Sequence, residues 1–361
     1  MEHNFNPGPS ILPVCVRAEA AASLASSAGD ISIVEMSHRG DKYSAIHEEA
    51  LARCRSVYAV PDDFAILFLQ GGASLQFAML PQNLLRPGRC ADYLETGSWS
   101  VKAITEAKTA GHACRIAGSS HGEGFRHVPT QAELDLDAQA EYLHLTSNNT
   151  IYGTQFADLP NAHGVPIVAD LSSDLLSRPI AWEQAGIGAA YGGAQKNAGV
   201  AGLTVVIIRR DLLSREQDST PAILRYSTHV AANSLYNTPP TFSVYVFNLV
   251  LGWLESQGGL QAVDERNRAK AKILYDVIDS SDGFYRGHAR EDSRSVMNIT
   301  FNLATAAGES SFLREAQNAG MVGLSGHRSI GGVRASVYNA MPIDSCQVLA
   351  DLMVEFARSH G

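Results

Sequence analysis

Cysteine is scarce in this chain and badly placed for cross-linking. Five cysteines among 361 residues, Cys15, Cys54, Cys90, Cys114 and Cys346, are odd in number, scattered and without a C-x-x-C pair. That argues against a disulfide framework and against a zinc cage. Positive charge is in deficit too: 28 lysines and arginines stand against 37 acids, a formal charge of −9. A protein that binds nucleic acid carries the opposite sign, since its affinity comes from cations that displace counterions from phosphates. No nucleic-acid partner is expected. Long apolar runs are missing; the richest, Val244 to Leu254, is interrupted by Asn248 and falls short of the roughly 20 residues a membrane helix needs. No membrane partner is expected either. The opening MEHNFNPGPS has neither a basic nor an apolar leader region, so a cytoplasmic location is expected. Repeats and low-complexity tracts are absent, and no histidine spacing suggests a metal site.

What is present is ordinary globular composition, 45% hydrophobic and 18% charged, over a length that suits about two domains at roughly 150 residues each. The short apolar runs AILFL, DYLET, EYLHL, PIVAD and LTVVIIR recur between Phe64 and Arg210. Runs apolar on both faces predict parallel strands sandwiched between helices. Tyr43, Ile46, His47, Ala50, Leu51, Cys54 and Tyr58 recur at helical spacing, so the class is α/β. Gly258-Gly259 breaks the chain, and a boundary is expected there. A charged amphipathic helix follows, then the strand candidates VMNITFNL and VRASVY, then a final helix for which Asp344 and Gln347 form a candidate capping box. This second part reads as a smaller α+β domain.

Several residues could carry chemistry. Lys196, in AAYGGAQKNAG, sits in a turn of glycine and alanine just before a β-prone run. Small neighbours leave room for a bulky group, and desolvation there would lower the amine's pKa, which is how a Schiff-base lysine is made; the same lysine could also be an exposed loop residue. Asp170 ends PIVAD, at the edge where open α/β sheets place their ligands. A carboxylate there can bond a protonated pyridine nitrogen or can simply cap the following turn. FLQGGASLQFAML passes from strand through Gly71-Gly72 into a helix beginning near Ala73 and Ser74, whose free amides form an anion site; no G-K-[ST] follows, so it is not a Walker loop. Trp99 could stack on a flat ring or fill a core. Arg39, Arg328 and Arg334, with the dipeptides His38-Arg39 and His327-Arg328, offer the forks that grip carboxylate and phosphate or else make surface salt bridges.

In order, NFNPGPSILP, SHRGDKY, FLQGGASLQFAMLP, TSNNTIYGTQ, VADLSSDLLSRP, YGGAQKNAG, NSLYNTPPTFSVY and GHRSIGGVRASVYNAMP resemble segments of the phosphoserine aminotransferases. These are class V, fold-type I enzymes that depend on pyridoxal 5′-phosphate (PLP). The resemblance implies a large PLP-binding domain with a mainly parallel seven-stranded sheet over residues 16–257. It also implies a small α+β C-terminal domain over 258–361, with residues 1–15 packing against it. It implies that Lys196 forms the Schiff base, that Asp170 faces the pyridine nitrogen, and that Trp99 stacks on the ring. Ala73, Ser74 and Gln195 would anchor the phosphate, and Thr150 would bond the hydroxyl side. Asn237 and Thr238 would reach the phosphate of the neighbouring subunit in a homodimer. Arg334 would hold the α-carboxylate, while His38, Arg39, His327 and Arg328 would hold the distal anion. Some members carry arginine where Ser74 stands. The implied reaction is amino transfer between L-glutamate and 3-phosphohydroxypyruvate, in serine biosynthesis, with the 4-phospho-oxo acid of vitamin B6 biosynthesis as a further substrate. Another fold-type I enzyme, such as an alanine-glyoxylate type aminotransferase or a cysteine desulfurase, and a non-catalytic PLP sensor are the competing readings.

Overall fold

The computed structural model describes residues 2–25 and 31–360. Seven strands, β1 (Phe64–Leu69), β2 (Cys90–Glu95), β3 (Ala113–Ser119), β4 (Leu143–Thr146), β5 (Ile167–Asp170), β6 (Ile187–Gly193) and β7 (Thr204–Arg209), form one sheet in the order β1-β7-β6-β5-β4-β2-β3. β7 runs antiparallel to both neighbours, and every other pairing is parallel. The five expected apolar runs are all strands, but LTVVIIR, as β7, is antiparallel and not parallel as expected. β3 and β6 were not anticipated. β6 reads IGAAYGG, with none of the branched run that signals a strand; its small residues are required because a Cβ on Gly192 would stand 3.2 Å from the Ser172 backbone.

β1, β4, β5 and β6 are buried at every position, which demands cover on both faces. The pleat divides β1 between two cores: Phe64, Ile66 and Phe68 face one, Ala65, Leu67 and Leu69 the other. The first core is closed by helices α1 (Val14–Leu24), α2 (Asp41–Val57) and α5 (Thr241–Ser256), through Val16, Ala20, Ala50, Cys54, Val244, Phe247 and Leu251. The second is closed by α3 (Gly72–Leu84) and α4 (Ser98–Thr109), through Phe77, Leu80, Ala103 and Ala107.

At Gly258, with φ +89°, α5 gives way to α6 (Gly259–Asp279). α6 belongs to two cores: Leu260 and Val263 pack with the large sheet, whereas Ala271, Leu274 and Ile278 pack with a third core. That core also takes α7 (Ala306–Asn318), α8 (Ile343–His360) and the antiparallel sheet β8 (Arg286–Gly287), β9 (Asn298–Asn302) and β10 (Val333–Ser336). β9 and β10 are the strands expected from VMNITFNL and VRASVY. His3–Asn4 pairs in parallel with Met321–Val322, and Phe5 enters the same core. The expected capping box does not form: α8 starts at Ile343, so Asp344 lies inside the helix, and the Gln347 amide donates forward to Asp351 at 2.8 Å. Among the described residues no helix is long and apolar enough to cross a membrane.

Candidate active site

Five strands of one direction end on the same edge of the sheet and deliver the residues of a single cavity of about 260 Å³. β1 leads into Gly71, Gly72, Ala73 and Ser74; β2 into Trp99 of α4; β4 ends at Thr146, ahead of Asn148 and Thr150. β5 ends at Asp170, and β6 leads to Gln195 and Lys196; all these residues line the cavity. The switch of strand order places a ligand crevice there in open α/β sheets.

The Lys196 amine donates to Thr150 Oγ1 at 2.7 Å and stands 5.9 Å from the centre of the Trp99 ring. Desolvation lowers its pKa to about 8, with Arg334 pushing the same way and Asp170 opposing. Asp170 is buried; one carboxylate oxygen accepts from the Ser172 amide at 2.9 Å and from its hydroxyl at 2.6 Å. Burial pushes this carboxyl up, while Ser172 and then Lys196 pull it back toward ionisation. The sequence reading of Asp170 as a turn cap is also realised, since the Ser172 contacts form an Asx-type turn.

At the other end of the cavity, Gly71 (φ +85°) and Gly72 (φ +62°) start α3 without a side-chain cap or an acid in the first turn. Its first amides are therefore uncompensated donors. A Cβ on Gly72 would meet nothing within 4 Å, so a ligand can approach the backbone closely. Ser74 Oγ accepts from Lys102 Nζ at 3.0 Å. Thr146 Oγ1 and Trp99 Nε1 are buried without hydrogen-bond partners. An aromatic aldehyde with a phosphate tail fits this donor set: amides for the phosphate, an indole for the ring, a carboxylate for the pyridine nitrogen and an amine for the aldehyde.

Arg334, on β10, comes from the small sheet. It is 7% exposed, its Nη1 donates to Thr150 O at 3.5 Å, and its Nε has no partner. Among the described residues it makes no ion pair, so a buried cation waits for an anion. His327 lies close enough to Arg334 and Arg328 for both to depress its pKa, after burial has done most of that; Arg328 is exposed. None of His38, Arg39, Asn237, Thr238, His327, Arg328 and Arg334 lines the cavity itself; Arg334 reaches it through Thr150. Asn237 and Thr238 instead meet Gln70, whose Nε2 donates to Thr238 O at 3.1 Å.

Three features escaped the sequence reading. Asp174, buried, accepts from Ser147 Oγ and from Gln155 Nε2, the latter at 3.2 Å. Asn148 donates to Ser173 Oγ and to Asn298 Oδ1, both at 2.8 Å, tying the large sheet to β9. The N-terminal segment lies on the lysine: Ser10 N donates to Gln195 O at 3.0 Å, Ser10 Oγ to Lys196 O, and a Cβ on Gly8 would stand 3.0 Å from Lys196 Cγ. The polar run TSNNT after a strand was the available signal for Asn148. Nothing local in NPGPS points to a lysine nearly 190 residues away.

The aminotransferase class-V family model matches residues 3–349. A phosphoserine aminotransferase of Lysinibacillus sphaericus (strain C3-41) is 51% identical over 359 residues, covering 99% of this chain and 98% of that one. The solved phosphoserine aminotransferase of Bacillus circulans subsp. alkalophilus superposes with a TM-score of 0.96 at 49% identity, covering 100% of this chain and 99% of that one. The PLP-bound phosphoserine aminotransferase of Trichomonas vaginalis does so with a TM-score of 0.91 at 36% identity, over 98% of this chain and 100% of that one. The lysine, the carboxylate, the uncapped glycine turn and this full-length likeness converge: the chain belongs to the class-V aminotransferases and, within them, to the phosphoserine aminotransferase group.

Proposed function

We propose that this chain transfers the amino group of L-glutamate to 3-phosphohydroxypyruvate, reversibly, giving 2-oxoglutarate and O-phospho-L-serine. PLP, when bound, supplies an aldehyde that condenses with amines and a ring that delocalises the electron pair left at Cα. The first amides of α3, with Ser74 and Gln195, would hold the phosphate, and Trp99 would flank the ring. Asp170 would hold a proton on the pyridine nitrogen; its hydrogen bonds from Ser172 favour its ionised form against the upward push of burial. Lys196 Nζ is the amine that would hold the aldehyde and, when free of it, would accept the Cα proton as general base. A pKa of about 8 keeps it near the operating pH, where such a base works best. Arg334 grips the α-carboxylate, with its unpartnered Nε as the reserve donor.

The observation that carries this reading is the pairing of a desolvated amine with a buried, anion-free arginine across one residue, Thr150. The distal anion, carboxylate in one half-reaction and phosphate in the other, would meet His327 and Arg328. By likeness to the family, Asn237 and Thr238 would reach the phosphate site of a second copy and His38 and Arg39 would join His327 and Arg328 at the distal anion; the chain then works as a homodimer. Five free thiols support a reducing, cytoplasmic setting. A coupled assay of purified protein with glutamate and 3-phosphohydroxypyruvate tests the reaction. Turnover confined to unphosphorylated keto acids would reject the substrate assignment.

A further inference from the structure

The wall of the cavity carries a single cation, Lys196, and that amine is committed to the aldehyde end. The phosphate of PLP therefore meets backbone amides and hydroxyls but no charge of opposite sign belonging to the wall itself. One hydrogen bond behind the wall a cation does stand. Lys102 lies one turn after Trp99 on α4, so both project from the same helix face, and its ammonium donates to Ser74 Oγ at 3.0 Å. Among the described residues Lys102 makes no ion pair with a carboxylate. Ser74 sits in the uncapped first turn of α3 and lines the cavity.

We propose that Lys102 is the countercharge for the PLP phosphate, acting through and beside Ser74. A hydroxyl that accepts from an ammonium is polarised toward donating its own proton, and Ser74 lines the cavity beside the free first amides of α3. Lys102 thus orients that hydroxyl as a donor and adds a positive charge to the one the helix terminus already presents. This rests on the reading that the cavity takes PLP, but concerns only the phosphate end.

The test is titration of the apoprotein with PLP and, separately, with pyridoxal, which keeps the aldehyde and ring but has no phosphate. Bound ligand is read from the visible absorbance of the lysine adduct, with no turnover needed. Lys102→Met is expected to weaken PLP by about tenfold while leaving pyridoxal within twofold, so that the preference for PLP over pyridoxal falls about tenfold. That is the size expected of one partly screened, charge-assisted contact. Lys102→Arg should keep the preference, and Ser74→Arg added to Lys102→Met should restore it by moving the charge one bond closer. A preference unchanged within twofold in Lys102→Met, whether because neither ligand weakens or because both weaken equally, overturns the proposal. Wild-type protein that forms no adduct with either ligand would instead overturn the PLP reading beneath it.

Discussion

Lys196 and Arg334 hold the same residue by different atoms: the lysine amine donates to the Thr150 hydroxyl at 2.7 Å, and the arginine Nη1 donates to the Thr150 carbonyl at 3.5 Å. Two cations are thereby kept side by side, the arginine helping to lower the lysine's pKa, with the small-sheet arginine registered against the large-sheet lysine. Removing the hydroxyl should loosen that register. Thr150→Val is expected to lower kcat by roughly 10- to 100-fold, the weight of one hydrogen bond to a charged group, with the fold unchanged by circular dichroism. Unaltered kcat would show that the contact does not position the amine.

The arginine itself should be worth more to binding than to folding. Truncating one member of a buried, hydrogen-bonded charge pair costs ~2 to 5 kcal/mol, so Arg334→Ala should impair both half-reactions. In the ligand-free protein no carboxylate offsets its desolvation, which lowers its pKa. Arg334→Met should therefore raise the melting temperature of the apoprotein while reducing kcat/KM. A fall in both would mean that Arg334 stabilises the fold.

Arg328, beside His327, is exposed and should matter only to the distal anion. Arg328→Ala is expected to reduce kcat/KM for a phosphorylated keto acid several-fold more than for an unphosphorylated one. Equal losses would remove Arg328 from the distal site.

The lysine sets a pH dependence. Only the neutral amine attacks an aldehyde, and its fraction grows as pH rises through the pKa. With that value lowered to about 8, the rate of adduct formation between apoprotein and PLP should rise with pH and level off above about 8. An ordinary lysine would continue to gain toward 10.5. Because Asp170 opposes the shift, Asp170→Asn should move the inflection lower. Stopped-flow absorbance across this range checks both.

Gly8 presses on the lysine stem. Its φ of +136° is open to glycine, and a Cβ would stand 3.0 Å from Lys196 Cγ. Gly8→Ala should therefore cost about 1 to 3 kcal/mol and slow adduct formation, because the N-terminal segment must shift off the lysine. Thermal melts beside the same stopped-flow measurement distinguish it from a mutation confined to the surface.

The residues alone determine the class of the fold and the identities at the site. Five apolar runs on both-face-buried strands require helices on two sides; Asp170, Trp99 and the Gly71-Gly72 turn each follow a legible strand, and Lys196 sits in the small-residue turn ahead of one. Those signals are local, because periodicity and turn chemistry act over a few neighbours. Strand β6 was not legible: alanine and glycine have no strand signature, and their small size answers to the Ser172 backbone across the sheet. The convergence of the site belongs wholly to tertiary structure. Thr150 and Arg334 are 184 residues apart, Gly8 and Lys196 nearly as far, and Lys102 meets Ser74 only because α4 packs on α3. Desolvation, which gives the amine its chemistry, is a property of the space around an atom, and no order of residues along a line records it until the chain has folded.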